Sequence, residues 1–178
     1  MNEILGRQIT EMVDMNFDCS CGRNHRVDIK RICIGRDFVD YLLTALQPYK
    51  NGKILLAADS NTYRISGKSI SETLDMEGFA HKCLVFESNG PLVPDEKAVG
   101  RLVIEADEDI SLILAVGSGT LNDLSIMASH RTGIPYMIVG TAPSMDGYAS
   151  TVSPLIVQGM KKTYNAVYPV AIFGDLDA

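Results

Sequence analysis

Val116-Gly-Ser-Gly-Thr-Leu-Asn-Asp123 carries the strongest chemical signal in the chain. It follows a buried-type apolar run, Leu112 to Val116, so its glycines fall where a strand ends. Glycine at that point lets the backbone turn tightly and approach a phosphate with no Cβ in the way. A helix behind the turn would aim its free N–H groups and positive dipole end at the anion. The same residues also suit a glycine-rich strand-to-helix turn with Asn122 or Asp123 as helix N-cap. The pattern differs from G-x-G-x-x-G after a first strand: it follows the fourth predicted strand and lacks the third glycine. An ordinary Rossmann dehydrogenase is thereby disfavoured.

A second segment, Thr141-Ala-Pro-Ser-Met-Asp-Gly-Tyr-Ala-Ser150, follows the next predicted strand. In an open α/β sheet its loop would lie beside the glycine turn, on the rim where such sheets bind ligands. Thr141, Ser144 and Ser150 offer hydroxyls there, and Asp146 a carboxylate beside Gly147. Taken alone, the segment equally fits a solvated loop with an Asx-type turn at Asp146-Gly147. Two such loops on adjacent strand ends favour a site.

Other reactive residues carry less. Cys19, Cys21 and His25 offer three zinc ligands at an unusual spacing, and a tight turn at Gly22 with incidental thiols is the preferred reading. Cys33 and Cys83 fall within predicted strands and read as small core residues. His130 near a helix C-terminus complements the dipole, and His81 reads as a surface residue.

The elements that must position these residues alternate. Strands are predicted at Val27–Ile34, Lys53–Ala58, Cys83–Glu87, Leu112–Val116, Tyr136–Val139 and Val167–Phe173. Helices are expected over Asp37–Leu46, Thr62–Glu77, Asp95–Ala106 and Asp123–Arg131, the last stopped by Gly133 and Pro135. This order implies an α/β fold, a mainly parallel sheet with helices on both faces. Residues 1–178 read as one such domain, of ordinary globular composition at 46% hydrophobic and 21% charged. A net charge of -6 argues against a nucleic-acid surface, and no apolar run approaches the roughly 18 residues of a membrane span. The opening Met-Asn-Glu-Ile-Leu-Gly lacks the features of a secretory signal, so a cytoplasmic protein with reduced thiols is expected.

Together, GSGTLND, a strand and then TAPSMDGYAS resemble the pattern of sn-glycerol-1-phosphate dehydrogenases. These belong with the glycerol dehydrogenases, iron-type alcohol dehydrogenases and dehydroquinate synthases. Cys19 to His25 and Ala58 to Gly67 are similar to the bacterial branch of that family. The resemblance runs from about Phe17 to Asp177 and implies a Rossmann-like dinucleotide-binding domain of the dehydroquinate synthase-like type. It puts Gly117, Ser118, Gly119, Thr120 and Leu121 at the pyrophosphate of NAD or NADP, and Asp59 at the adenosine ribose. Thr141, Ser144 and Ser150 match further nucleotide contacts, and Asp146 matches a contact to the polyol substrate.

The resemblance also implies a departure. The family's divalent metal, zinc or nickel, sits between an aspartate and two histidines of a following all-helical domain. The aspartate would fall beyond Ala178, and neither Asp175, Asp177 nor any histidine here matches the set. The expected whole protein moves a hydride between a nicotinamide dinucleotide and sn-glycerol 1-phosphate, a small polyol phosphate, giving dihydroxyacetone phosphate. The chain alone is expected to bind nucleotide weakly, catalyse nothing and form a homo-oligomer. Alternatives are a non-catalytic nucleotide-binding or assembly module, and a dehydroquinate synthase-like lyase.

Overall fold

The computed structural model describes residues 6–87 and 90–178. The signal-peptide reading of the first five residues lies outside them. A hairpin opens the fold, β1 (Asn16–Asp18) against β2 (Asn24–Arg26), followed by β3 (Arg31–Gly35) and α1 (Phe38–Leu46). β4 (Lys53–Asp59) leads into α2 (Ser60–Thr62), a π-turn (Tyr63–Gly67) and α3 (Lys68–Met76). Then come β5 (His81–Phe86), α4 (Glu96–Glu105), β6 (Ile110–Gly117), α5 (Gly119–Thr132) and β7 (Tyr136–Gly140). A second hairpin, β8 (Val152–Val157) and β9 (Met160–Asn165), precedes β10 (Ala171–Asp175).

Six strands form one sheet in the order β3-β10-β7-β6-β4-β5, every pair parallel. Its central strands are apolar almost continuously because both faces are covered. Successive side chains point to opposite faces, and the core divides accordingly. Ile54, Leu56 and Ala58 of β4 pack with Phe38 and Leu42 of α1 and Leu74 of α3. Leu55 and Ala57 pack on the other face with Leu102 of α4 and Leu121 and Leu124 of α5. The expected α/β architecture is the one observed.

Several boundaries differ from expectation, each for a local reason. The strand predicted over 27–34 is strand only from Arg31, as β3; Val27–Lys30 is the link by which the chain leaves the hairpin, whose β2 ends at Arg26 in a separate sheet. The last strand begins four residues late because Pro169, lacking an N–H, stands before it. The helix after the glycine turn begins at Gly119, not at Asp123. Asn122 and Asp123 are buried inside it, so neither is its N-cap; that position belongs to Ser118. Both hairpins went unpredicted.

Candidate functional site

At the carboxyl rim of the sheet, β6 and β7 end in register, Gly117 opposite Gly140. The Thr141 N–H donates to the Gly117 carbonyl at 3.2 Å, so the two chemically marked loops leave the sheet side by side. β4 and β5 end next to them, with Asp59 opposite Phe86. Ser60 Oγ donates to the Phe86 carbonyl at 3.4 Å and ties those two ends together. Between the four strand ends lies a cleft of about 580 Å³.

Five of the ten residues singled out in the sequence line this cleft: Asp59, Ser118, Thr120, Thr141 and Ser144. Asp59 also caps the helix that follows it. Its Oδ1 accepts from the backbone N–H groups of Asn61 at 2.9 Å and Thr62 at 2.8 Å, while Thr62 Oγ1 accepts from Asp59 N. That reciprocal box fixes the carboxylate at the cleft edge. Ser118 stands at the N-cap of the 14-residue α5, with no side-chain cap bond, and α5 opens onto the cleft.

The remaining five are placed otherwise. Leu121 is fully buried, and a Cβ on Gly117 would come within 2.9 Å of its Cγ. Gly119 lies under Met145, whose Sδ would be 2.3 Å from an added Cβ. Both glycines thus have a packing reason, whatever else they admit. Ser150 Oγ accepts from Val152 N at 3.1 Å, at the foot of β8. Asp146 is exposed and lines neither the cleft nor the smaller apolar cavity of about 240 Å³ beneath Met145 and Tyr148. Tyr148 Oη donates to the Ala142 carbonyl at 2.8 Å and folds this loop back on itself. A further concavity of about 640 Å³ runs along β3 and contains none of the ten.

Residues the sequence did not single out complete the cleft, among them Asn61, Ile65 and Leu92. The D-x-x-T capping box straight after a strand was the available signal for the first of these. Asp123 was also missed as a titrating group. It is buried in α5, and burial pushes its carboxyl up to about 7, with Lys161 pulling the other way. Nearby, the Tyr136 phenol is held well above its ordinary range by burial and by Asp123. Three sequence readings need correction. His81 is not a surface side chain: it is mostly buried, with Nε2 2.7 Å from Ser71 Oγ. Cys83 is exposed on the edge strand β5 instead of lying in the core. Cys33 is only partly buried, packed against the core.

The sequence pattern of the iron-containing alcohol dehydrogenases matches residues 33–178. This chain belongs to that family. It is 35% identical over 163 residues to a glycerol-1-phosphate dehydrogenase [NAD(P)+] of Halalkalibacterium halodurans, covering 90% of this chain and 41% of that protein. The Bacillus subtilis protein of the same name is 34% identical over 172 residues, 96% of this chain and 44% of its own length. The chain therefore spans about two-fifths of the curated relatives it matches. Among solved structures, the NADH-dependent butanol dehydrogenase A of Thermotoga maritima superposes with a TM-score of 0.69, at 16% identity, over 85% of this chain and 43% of that one. That likeness is one of fold.

The cleft's residues suit a dinucleotide. They offer an uncapped helix start for a pyrophosphate, hydroxyls from both loops and a carboxylate at one end. They do not suit a divalent metal. Among the described residues, the one group of three or more His, Cys, Asp or Glu with converging ligand atoms is Cys19, Cys21 and His25, and none of these lines the cleft. Asp175 is engaged elsewhere, accepting from Ser66 Oγ at 2.8 Å and from Asp177 N at 2.9 Å.

Proposed function

We propose that this chain is the nucleotide-binding half of an NAD(P)-dependent sn-glycerol-1-phosphate dehydrogenase. The observation that carries the reading is the cleft across four parallel strand ends, with the start of α5 on one wall and Asp59 on another. The names of its relatives, glycerol-1-phosphate dehydrogenases [NAD(P)+], support a reaction in which the polyol phosphate is oxidised at the expense of NAD(P)+. The cofactor, when bound, supplies the hydride acceptor.

In this reading each cleft residue has a task. Backbone N–H groups at Ser118 and Thr120 meet the pyrophosphate, helped by the dipole of α5. Asp59 accepts from ribose hydroxyls, an arrangement that favours NAD because a 2′-phosphate would face a carboxylate. Thr141 and Ser144 hold the part of the nucleotide nearer the nicotinamide. Asp146 orients substrate hydroxyls at the edge of this half. In the whole protein the metal and its ligands would belong to a following helical domain, and the part described here would hold the nucleotide.

The test is fluorescence titration of NADH into the 178-residue chain and its Ser118→Asp variant. Aspartate is as good an N-cap as serine, so the helix keeps its start while a negative charge enters the anion site. Saturable binding weakened at least about tenfold in the variant, the equivalent of roughly 1.4 kcal/mol, is the expected outcome. Equal binding by both proteins, or by neither, removes the reading.

A further inference from the structure

The three soft ligands at the tip of the first hairpin form a group of their own. Cys19 and Cys21 lie in the loop between β1 and β2, and His25 lies in β2. One ligand atom from each lies within 4.8 Å of the other two, and Cys21 Sγ is 3.2 Å from His25 Nε2. Zinc bonds of about 2.3 Å to sulfur and about 2.0 Å to nitrogen put tetrahedral neighbours roughly 3.5–3.8 Å apart. The group needs only side-chain adjustment to reach that geometry.

The backbone holds the group in this shape. Cys19 N donates to the Arg23 carbonyl at 3.0 Å, and Gly22 N to the Cys19 carbonyl at 2.9 Å. Gly22 takes φ +81°, a left-handed conformation that admits glycine readily, and the chain reverses there. Across the strands Phe17 pairs with His25, and their rings stack at 5.4 Å with 22° between planes. Phe17 therefore fixes the imidazole plane while Nε2 faces the thiol.

The hairpin has a physical need for such a clip. It has three residue pairs, all of β2 is exposed, and a two-stranded ribbon is marginal in water. We propose that Cys19, Cys21 and His25 bind one zinc ion as a Cys2His set, with water in the fourth position, and that the ion holds this hairpin closed. Among the described residues no fourth His, Cys, Asp or Glu joins them. The site is separate from the nucleotide cleft, whose lining includes none of the three.

The experiment uses the whole chain, reduced and stripped of metal, titrated with zinc against a chromophoric chelator and separately with Co2+. One equivalent should bind, and the cobalt form should show thiolate-to-metal charge transfer and a tetrahedral d–d band. Cys21→Ser should lower zinc affinity by more than about 100-fold, beyond the 10–100-fold effect of losing an outer-shell partner. Cys21→His, which keeps a ligand, should retain zinc while weakening the charge-transfer band. Cys83→Ser, at the exposed thiol on β5, should change nothing. The proposal falls if the unsubstituted chain binds no more tightly than Cys21→Ser. It falls equally if cobalt gives no charge-transfer band, or if Cys83→Ser abolishes binding.

Discussion

The two hairpins of this molecule are built in opposite ways. β8–β9 has six residue pairs and a two-residue turn, Gln158-Gly159, with φ of +52° and +76°. That is the left-handed pair of a type I′ turn, whose twist matches its strands. It packs on α5: Leu155 is buried in the core and Ser153 Oγ donates to the Asp123 carbonyl at 2.8 Å. β1–β2 has half as many pairs, a five-residue loop and no buried side chain. One hairpin is held by the apolar area it buries, the other by contacts at its own tip. A ribbon has few means of staying closed, and this chain uses two of them.

Three substitutions test that contrast. Leu155→Ala should destabilise the chain by about 2–5 kcal/mol, since it opens a cavity in the core beneath β8. Urea unfolding measures it, and a loss below 1 kcal/mol would mean that β8 rests on α5 without being anchored there. Asp123→Asn tests what the second hairpin buries. The folded-state carboxyl is raised from its ordinary 3.8 to about 7, so the folded chain holds this proton more tightly than the unfolded one. Its contribution is fully present below the ordinary value and is lost as pH rises towards 7. The variant should therefore melt higher than the parent near pH 8, and the gap should close near pH 4. A gap independent of pH would show that Asp123 does not titrate there. The smallest effect is expected from Phe17→Ala. Removing its ring from His25 should change overall stability by no more than roughly 0.5–1.5 kcal/mol, while zinc affinity falls measurably. Unchanged zinc affinity would mean that the stacking does not orient the imidazole.

The same contrast marks what the amino-acid sequence made legible. Strands with continuous apolar runs, such as Leu112 to Val116, declared themselves because both sheet faces are covered. The alternation of strands and helices then fixed the fold class. The hairpins stayed hidden because neither carries the Asn-Gly or Asp-Gly signal; Gln158 takes a positive φ against its preference, and Pro154 interrupts β8. Asn122 and Asp123 misled for a related reason. Their types favour helix starts, yet Asn122 Nδ2 reaches the Gly147 carbonyl at 3.4 Å and Asp123 is covered from outside its helix. Tertiary contacts overrode local preference. Of the cleft, the hydroxyls and the acidic end were readable from loops at strand ends, whereas the wall formed by Ile65 and Leu92 depends on how distant segments meet.

The strand order has a consequence for the chain's birth. β3 is made early and lies at the sheet edge, and its sheet partner is β10, with Arg31 in register with Ala171, about 140 residues later. At about 5–20 residues per second, a ribosome takes roughly 7–28 s to cover that gap. Throughout that interval β3 and the apolar side of α1 await their neighbour while β4, β5, β6 and β7 emerge in turn. Closure of the sheet is therefore a late, long-range event in synthesis. The nascent chain spends that time with Phe38 and Leu42 lacking Phe173 and Ala171, the part of their final packing that arrives last.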